Sequence, residues 1–252
     1  MYKKRRLLLD AALSLLLVAI LASGWLGFSN KWADAAAKFG QDEVQTMKTV
    51  EDESESVSSL PLMDFTDLRA KNPDVIAWVT LLDTPDNLDY PVTQTADNDY
   101  YLHYDVNKQP SRYGNPFLDS RAHADFSDFS SVIYGHNMSS TSADTRAFHD
   151  LILFKKRDFF DMHPEGMLYT PAKTWKLEIF AVALIKPDDA IYNYAFASDS
   201  EKEAQLEMIR DKKAMYYRDV GVTAKDHIVV LSTCSYEYKD ARTVVIAKLS
   251  DG

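Results

Sequence analysis

The chain changes its hydrophobic pattern three times. Residues 11–28 are apolar apart from Ser14, Ser23, Gly24 and Gly27, and Leu7, Leu8 and Leu9 extend the run past Asp10. A helix needs roughly 20 apolar residues to cross a bilayer, which this stretch supplies. The bases Lys3, Lys4, Arg5 and Arg6 before it predict a cytoplasmic N-terminus, and Trp25 and Phe28 suit an interfacial belt at its far end. The alternative is a cleaved signal peptide with Ala22-Ser23-Gly24 as a fair cleavage site. The length of the apolar run favours an uncleaved anchor. Either way the body is expected outside the cytoplasm.

Beyond the anchor, Trp32, Ala36, Phe39 and Val44 recur at roughly helical spacing and predict a helix over 30–49. Residues 50–60 are acidic and Ser-rich and read as a solvated linker. A short helix at 65–69 should stop at Asn72-Pro73. From there the period turns to strands. Runs of β-branched and aromatic residues predict them at 75–81, 88–94, 131–134, 166–170, 174–185, 227–232 and 243–249, with a turn at Asp83-Thr84-Pro85-Asp86. Two helical patterns interrupt them, at 145–154 and 200–217. The second puts Leu206, Ile209 and Tyr216 on one face, flanked by Met208 and Met215, a stripe expected to serve core packing. Many short strands with few helices predict a mostly β fold, a barrel with helical additions. The expected organisation is a basic tail (1–6), an anchor (7–28), a helix and acidic linker (29–64) and a globular body (65–252).

Composition narrows the function. The chain has 252 residues, 46% of them hydrophobic, and a net charge of −10. Because four of its bases are gathered at the start, the body is more acidic still. Such a surface repels phosphate backbones, so no nucleic-acid partner is expected. Cys234 is the single cysteine, which leaves no internal disulfide and no Cys cluster for a structural metal. A lone cysteine is most often a small buried hydrophobe. Outside the cell, an unpaired thiol more often has a chemical role.

The neighbourhood of Cys234 supports that role. Ile228-Val229-Val230-Leu231 reads as a buried strand, and the polar Ser232, Thr233, Ser235 and Tyr236 place Cys234 at its accessible end. Thiolate attack on a carbonyl needs a base nearby. Of six histidines, His136 follows a strand directly, after Gly135, which would permit a sharp turn, whereas His227 starts the cysteine strand and His149 falls in a predicted helix. Arg242 opens the strand after the cysteine, and a short connection makes the two strands candidate antiparallel neighbours. Arg242 cannot act as a base but can donate hydrogen bonds to an oxyanion. The plainer reading of Arg242 is a surface residue paired with Asp240 or Glu237.

Taken in order, these residues resemble the sortase family. Tyr134-Gly135-His136-Asn137, Leu231-Ser232-Thr233-Cys234 and Arg242 before Val244-Val245-Ile246 carry the likeness. Asn72-Pro73-Asp74-Val75-Ile76-Ala77-Trp78, Leu88-Asp89-Tyr90-Pro91-Val92, Asn98-Asp99-Tyr100-Tyr101-Leu102-His103-Tyr104 and Gly114-Asn115-Pro116-Phe117-Leu118-Asp119 narrow it to class B, as does the long helix before the cysteine strand. The likeness runs over about residues 65–249. Val230 stands where many sortases have Thr, and Tyr236, followed by Glu237, where some class B members carry an Asp.

The resemblance implies an eight-stranded β-barrel and a cysteine transpeptidase. Cys234 would attack a Thr carbonyl in the C-terminal sorting motif of secreted proteins. His136 would transfer protons, Arg242 would hold the oxyanion, and Asn98, Ser232 and Thr233 would line the substrate pocket. The segment 186–225 would set substrate choice. The partners implied are sorting-motif proteins and an acceptor amine, from peptidoglycan precursor or a pilin Lys; no metal or organic cofactor is implied. Two other readings have handles in the sequence. A papain-like hydrolase would place its Cys at a helix start and before its His, the reverse of the order here. A tethered β-domain that only binds a partner would have no need of all three residues.

Overall fold

A computed structural model of the chain describes residues 62–81, 83–85, 88–138 and 148–251. The expected basic tail, anchor, helix at 30–49 and linker at 50–60 lie outside the described residues. No helix among the described residues is long and apolar enough to cross a membrane.

The apolar runs form strands β1 (Val75–Leu81), β2 (Leu88–Thr93), β3 (Phe117–Leu118), β4 (Ser130–Gly135), β5 (Glu165–Tyr169), β6 (Thr174–Ile185), β7 (Ala214–Tyr217), β8 (His227–Cys234) and β9 (Arg242–Asp251). Their pairing order is β5-β1-β2-β3-β4-β8-β9-β6, and β5 pairs antiparallel with β6 to close the ring. The result is the eight-stranded barrel the resemblance implied, with β7 added outside on β6. Closure pairs each of the eight strands on both sides over part of its length, and β7 takes the stretch of β6 that β5 leaves open. Two of its pairings, β2 with β3 and β4 with β8, are parallel.

The side-chain period of two divides each strand between two cores. Odd-numbered residues of β8 and β9, such as Val229, Leu231, Val245 and Ala247, point into the barrel, where Ala77, Val79, Leu168 and Leu177 meet them. Even-numbered residues, Ile228, Val230, Val244 and Ile246, point outward into a second apolar layer with Ile191, Leu206 and Ile209. These last three come from the β6–β7 connection. It contains a short 3-10 turn (Ala190–Tyr192), then a helix, Asp199–Met208, capped by Ser198, whose Oγ accepts from the Glu201 amide. The other helices are small: α1 (Thr66–Lys71), α2 (Tyr100–His103) and α3 (Arg157–Met162); the helix at Asp199–Met208 is α4.

Two expected elements change form. The helix predicted over 200–217 stops at Met208, passes through one wide turn at Ile209–Lys213, and continues as β7. Leu206 and Ile209 are buried together as expected, but Tyr216 lies on a strand and packs on the barrel side. The backbone of 214–217 finds ladder partners at residues 181–183 of β6, and tertiary pairing overrides a helical pattern there. The pattern at 145–154 becomes a 3-10 helix, His149–Lys155, with residues 145–147 outside the described residues. The two-residue β3 is too short to carry a period and was not predicted.

Gly135, the last residue of β4, has a role other than the expected turn. Its place in the alternation faces the barrel interior, where the fully buried Phe148 ring fills the space. A Cβ at Gly135 would lie 2.6 Å from Phe148 Cγ. Gly135→Ala is therefore expected to destabilise the fold by about 1–3 kcal/mol through overpacking. Urea unfolding of the full-length chain would measure this, with a second substitution, Phe148→Leu, recovering part of the loss.

Candidate active site

Three neighbouring strand ends build the site. The parallel register of β4 and β8 sets Gly135 beside Thr233, so His136, one residue further, continues to the level of Cys234. The antiparallel register of β8 and β9 sets Cys234 directly opposite Arg242. Cys234 and Arg242, paired across the ladder, share the outward face, and His136 lies one residue past the end of β4. Cys234 is partly exposed at its strand's end. An open cleft of about 540 Å³ lies over Cys234, Arg242, Tyr236, Tyr238 and Lys239.

His136 and Arg242 meet backbone carbonyls, and Cys234 is held through its own. His136 Nε2 lies 3.0 Å from the Leu102 carbonyl of α2. A carbonyl only accepts, so Nε2 carries a proton and Nδ1 is the nitrogen left for proton transfer. The ring rests against Gly114, where a Cβ would come within 3.2 Å of His136 Cδ2; Gly114 itself adopts φ +60. Arg242 does not form the carboxylate pair suggested by its neighbours. Its Nη1 donates to the carbonyls of Asp240 (3.2 Å) and Ala241 (3.0 Å), while Glu237 pairs with Lys155. The backbone carbonyl of Cys234 accepts from Asn137 Nδ2 at 2.8 Å, and the Asn137 Oδ1 meets His149 Nδ1 at 2.5 Å.

The residues expected to line a substrate pocket have different settings. Ser232 shares the outward face with Cys234, two residues away, and its Oγ is 2.8 Å from the Tyr192 hydroxyl. Burial pushes the Tyr192 phenol up to about 12, against the opposing pull of its Ser232 hydrogen bond and of the Arg242 charge, while Asp189 and Cys234 add to the rise. Through Ser232, Tyr192 meets the outward face of the strand that carries Cys234. Thr233 lies on the other face: it is buried, and its Oγ1 donates to the Gly135 carbonyl at 2.8 Å, cross-linking β8 to β4 inside the barrel. Asn98 accepts from the Ser120 amide at 2.7 Å and so shapes the turn after β3.

That turn connects back to the cysteine strand through groups the sequence reading missed. Asp119 takes a two-pronged contact from Arg121 (2.8 and 2.7 Å) and a hydrogen bond from the Tyr134 hydroxyl (3.0 Å). Burial raises the Asp119 carboxyl, but these donors outweigh it and hold the group at about 2. Arg121 stacks 4.1 Å over the ring of Tyr194, and the Tyr134 and Tyr192 rings lie 6.0 Å apart. The β6–β7 connection is thus pinned at two points, on Ser232 and on Arg121. One signal was available for Tyr134: it precedes His136 by two residues. Nothing periodic marks Tyr192, Tyr194, Asn137 or Lys155, and His149 falls in a predicted helix with no sign of its contact; 3-10 turns and loops bring these residues in. Among the described residues, no group of three or more His, Cys, Asp or Glu is placed to hold a metal ion.

No protein-family profile matches the chain. It is similar to Sortase B of Listeria monocytogenes, with 31% identity over 244 residues covering 96% of each chain. Among solved structures it is similar to Clostridium perfringens Sortase B, at 32% identity and a TM-score of 0.67, over 75% of this chain and 100% of that one. A class B sortase of Streptococcus pyogenes involved in pilus biogenesis is similar at 34% identity and a TM-score of 0.64, over 74% of this chain and 97% of that one.

The Asp119 cluster has a pH signature. Its folded value, about 2, lies below the ordinary 3.8, so its contribution is present above pH 4 and is lost as pH falls toward 2. The stability difference between the wild type and Asp119→Asn should shrink by about 2 kcal/mol between pH 5 and pH 2. Chemical denaturation at stepped pH checks it.

Proposed function

The chain belongs to the class B sortases, which are cysteine transpeptidases, and we propose that Cys234, His136 and Arg242 carry its chemistry at the outer face of a cell membrane. The observation that carries this reading is the shared register: Cys234 stands opposite Arg242, and His136 directly follows β4, whose last residue is beside Thr233. The substrates are secreted proteins with a C-terminal sorting motif, cut after a Thr. The apolar segment at 7–28 is the anchor that keeps the body where such proteins emerge.

The steps balance as a double displacement. With the proton of the Cys234 thiol carried on His136 Nδ1, the Cys234 thiolate attacks the Thr carbonyl carbon and the C–S bond forms. Arg242 and nearby backbone N–H groups take the negative charge on the carbonyl oxygen. As the C–N bond breaks, the leaving amine takes a proton from His136, leaving a thioester on Cys234. An acceptor amine then loses its proton to His136 and attacks the thioester; the C–N bond forms and the thiolate is released. Ser232, joined to Tyr192, and Asn98, behind the turn at Ser120, belong to the wall along which the peptide lies. Thr233 contributes from inside the barrel by fixing β8 on β4.

The acceptor is the amine of a peptidoglycan precursor. A pilin lysine is the second reading, favoured by the likeness to the S. pyogenes class B sortase involved in pilus biogenesis. Both rest on the same first half-reaction.

Incubating the full-length chain with a library of sorting-motif peptides should give one intact-mass adduct on Cys234, discharged faster by an amine than by water. The best amine separates the two acceptors. No adduct with any peptide, in folded protein whose Cys234 still reacts with an alkylating agent, would overturn the reading in favour of a binding domain. Cys234→Ala should abolish turnover. Arg242→Lys should lower kcat by about 100-fold or more, because an ammonium cannot reproduce the planar fork. A near-normal rate would remove Arg242 from the site.

A further inference from the structure

Resting on the roles just assigned to Cys234 and Arg242, we infer that Lys155 is a positioning residue for the reaction: through Glu237 and Ser235 it fixes the turn that presents Arg242, and it keeps the Glu237 carboxylate from competing for that arginine.

The turn between β8 and β9 covers seven residues, Ser235 to Ala241, and begins one residue after the cysteine. It is closed by Ser235 N to the Ala241 carbonyl (2.9 Å) and Ala241 N to the Tyr238 carbonyl (3.2 Å), with Asp240 at φ +61. The backbone of Arg242 is laddered to Cys234 and Ile185, while its guanidinium donates to the last carbonyls of the turn, those of Asp240 and Ala241. The turn therefore sets the direction of the guanidinium, though not the position of its backbone.

What locates the turn is a buried hub at Ser235. Its Oγ accepts from Lys155 Nζ at 3.1 Å and from Thr243 Oγ1 at 2.9 Å, and it donates to the Glu237 carboxylate. Lys155 also pairs directly with Glu237. Burial raises the Glu237 carboxyl, but Lys155 and Ser235 outweigh it and hold the group at about 2, so it is ionised whenever the enzyme works. Lys155 is the last residue of the 3-10 helix whose first residue, His149, meets Asn137, the donor to the Cys234 carbonyl. One short helix therefore braces the backbone at the cysteine and the turn that follows it.

The charge arrangement gives the brace a second purpose. Glu237 lines a cavity of about 280 Å³ with Asn137, Ile152 and Lys155. That cavity shares Ser235 and Tyr236 with the cleft over Cys234 and Arg242. Glu237 lies on the turn, and Arg242 opens the strand directly after it, five residues on. Without Lys155, the carboxylate would keep its charge and lose its cation, and the nearest cations in sequence are Lys239 on the turn and Arg242 directly after it, both lining the adjoining cleft. An arginine held by Glu237 cannot serve a developing oxyanion, so the loss would fall on the transition state and spare substrate binding.

The test is steady-state thioester formation by the full-length chain with the peptide selected above, alongside thermal melting. Lys155→Met should lower kcat by about 10- to 100-fold while KM changes less than about twofold. Lys155→Arg should restore most of the rate, since it keeps the cation. Lys155→Met combined with Glu237→Gln should also recover much of the loss, because the competing charge is gone. Should Lys155→Met unfold, Lys155→Arg and the double variant still decide the matter. The inference is overturned if Lys155→Met keeps its kcat, if the loss appears in KM, or if removing the Glu237 charge brings no recovery. An inactive wild type would instead sink the assignment of Cys234 and Arg242 on which this one stands.

Discussion

The register of β8 against its two neighbours is the constraint on which the site depends. β8 runs parallel to β4 and antiparallel to β9, and the two ladders meet at its C-terminal end. A parallel neighbour brings a second C-terminal end to the same level, and an antiparallel one brings an N-terminal start. His136 leaves the first and Arg242 opens the second, with Cys234 between them. A slip of one residue in either ladder would send one of the three to the opposite face. The interior core guards against this. Val229, Leu231, Val245 and Ala247 are wholly buried in the barrel, so a slip would drive the polar face inward. Each such aliphatic side chain is worth roughly 1.5–3 kcal/mol when buried. Packing energy, spread along the strands, thereby sets positions at their ends to within a fraction of a residue step.

The outer face of the same strands does a different task. Ile228, Val230, Val244 and Ile246 carry the β6–β7 connection on an apolar layer, and that layer ends where Ser232, Cys234 and Arg242 begin. The connection meets the polar end through Tyr192 on Ser232 and through Tyr194 under Arg121. A single alternation therefore divides labour along β8: odd residues hold the barrel, even residues first hold a covering segment and then face the cleft. Rigid strand ends suit a reaction in which nucleophile, proton carrier and oxyanion donor must meet one carbonyl within a few tenths of an ångström.

Much of this was legible in the residues themselves. The apolar runs at 75–81 and 174–185 became strands with those bounds, and the polar switch after Leu231 marked the accessible end of β8. The family likeness added the closed barrel, which periodicity could not reach because closure depends on which strands pair. The failures have identifiable causes. Residues 214–217 fit a helical stripe yet pair with β6, since an edge with free ladder partners outweighs a weak helical preference. Gly135 looked like a turn glycine and is instead the floor on which Phe148 packs. Thr233, adjacent to the cysteine in sequence, faces the barrel interior, whereas Tyr192, 42 positions before Cys234, borders the cysteine face. Such positions follow from loop paths, and no local pattern encodes those.

The central claim is that the three strand ends converge on one carbonyl. The most direct measurement is a crystal structure of the chain with a sorting-motif peptide mimic joined covalently to Cys234. The account predicts the carbonyl-derived oxygen within about 2.7–3.1 Å of the Arg242 guanidinium, with His136 Nδ1 facing the leaving-group side. An acyl oxygen turned away from Arg242, with His136 Nδ1 facing away from the leaving-group side, would contradict it.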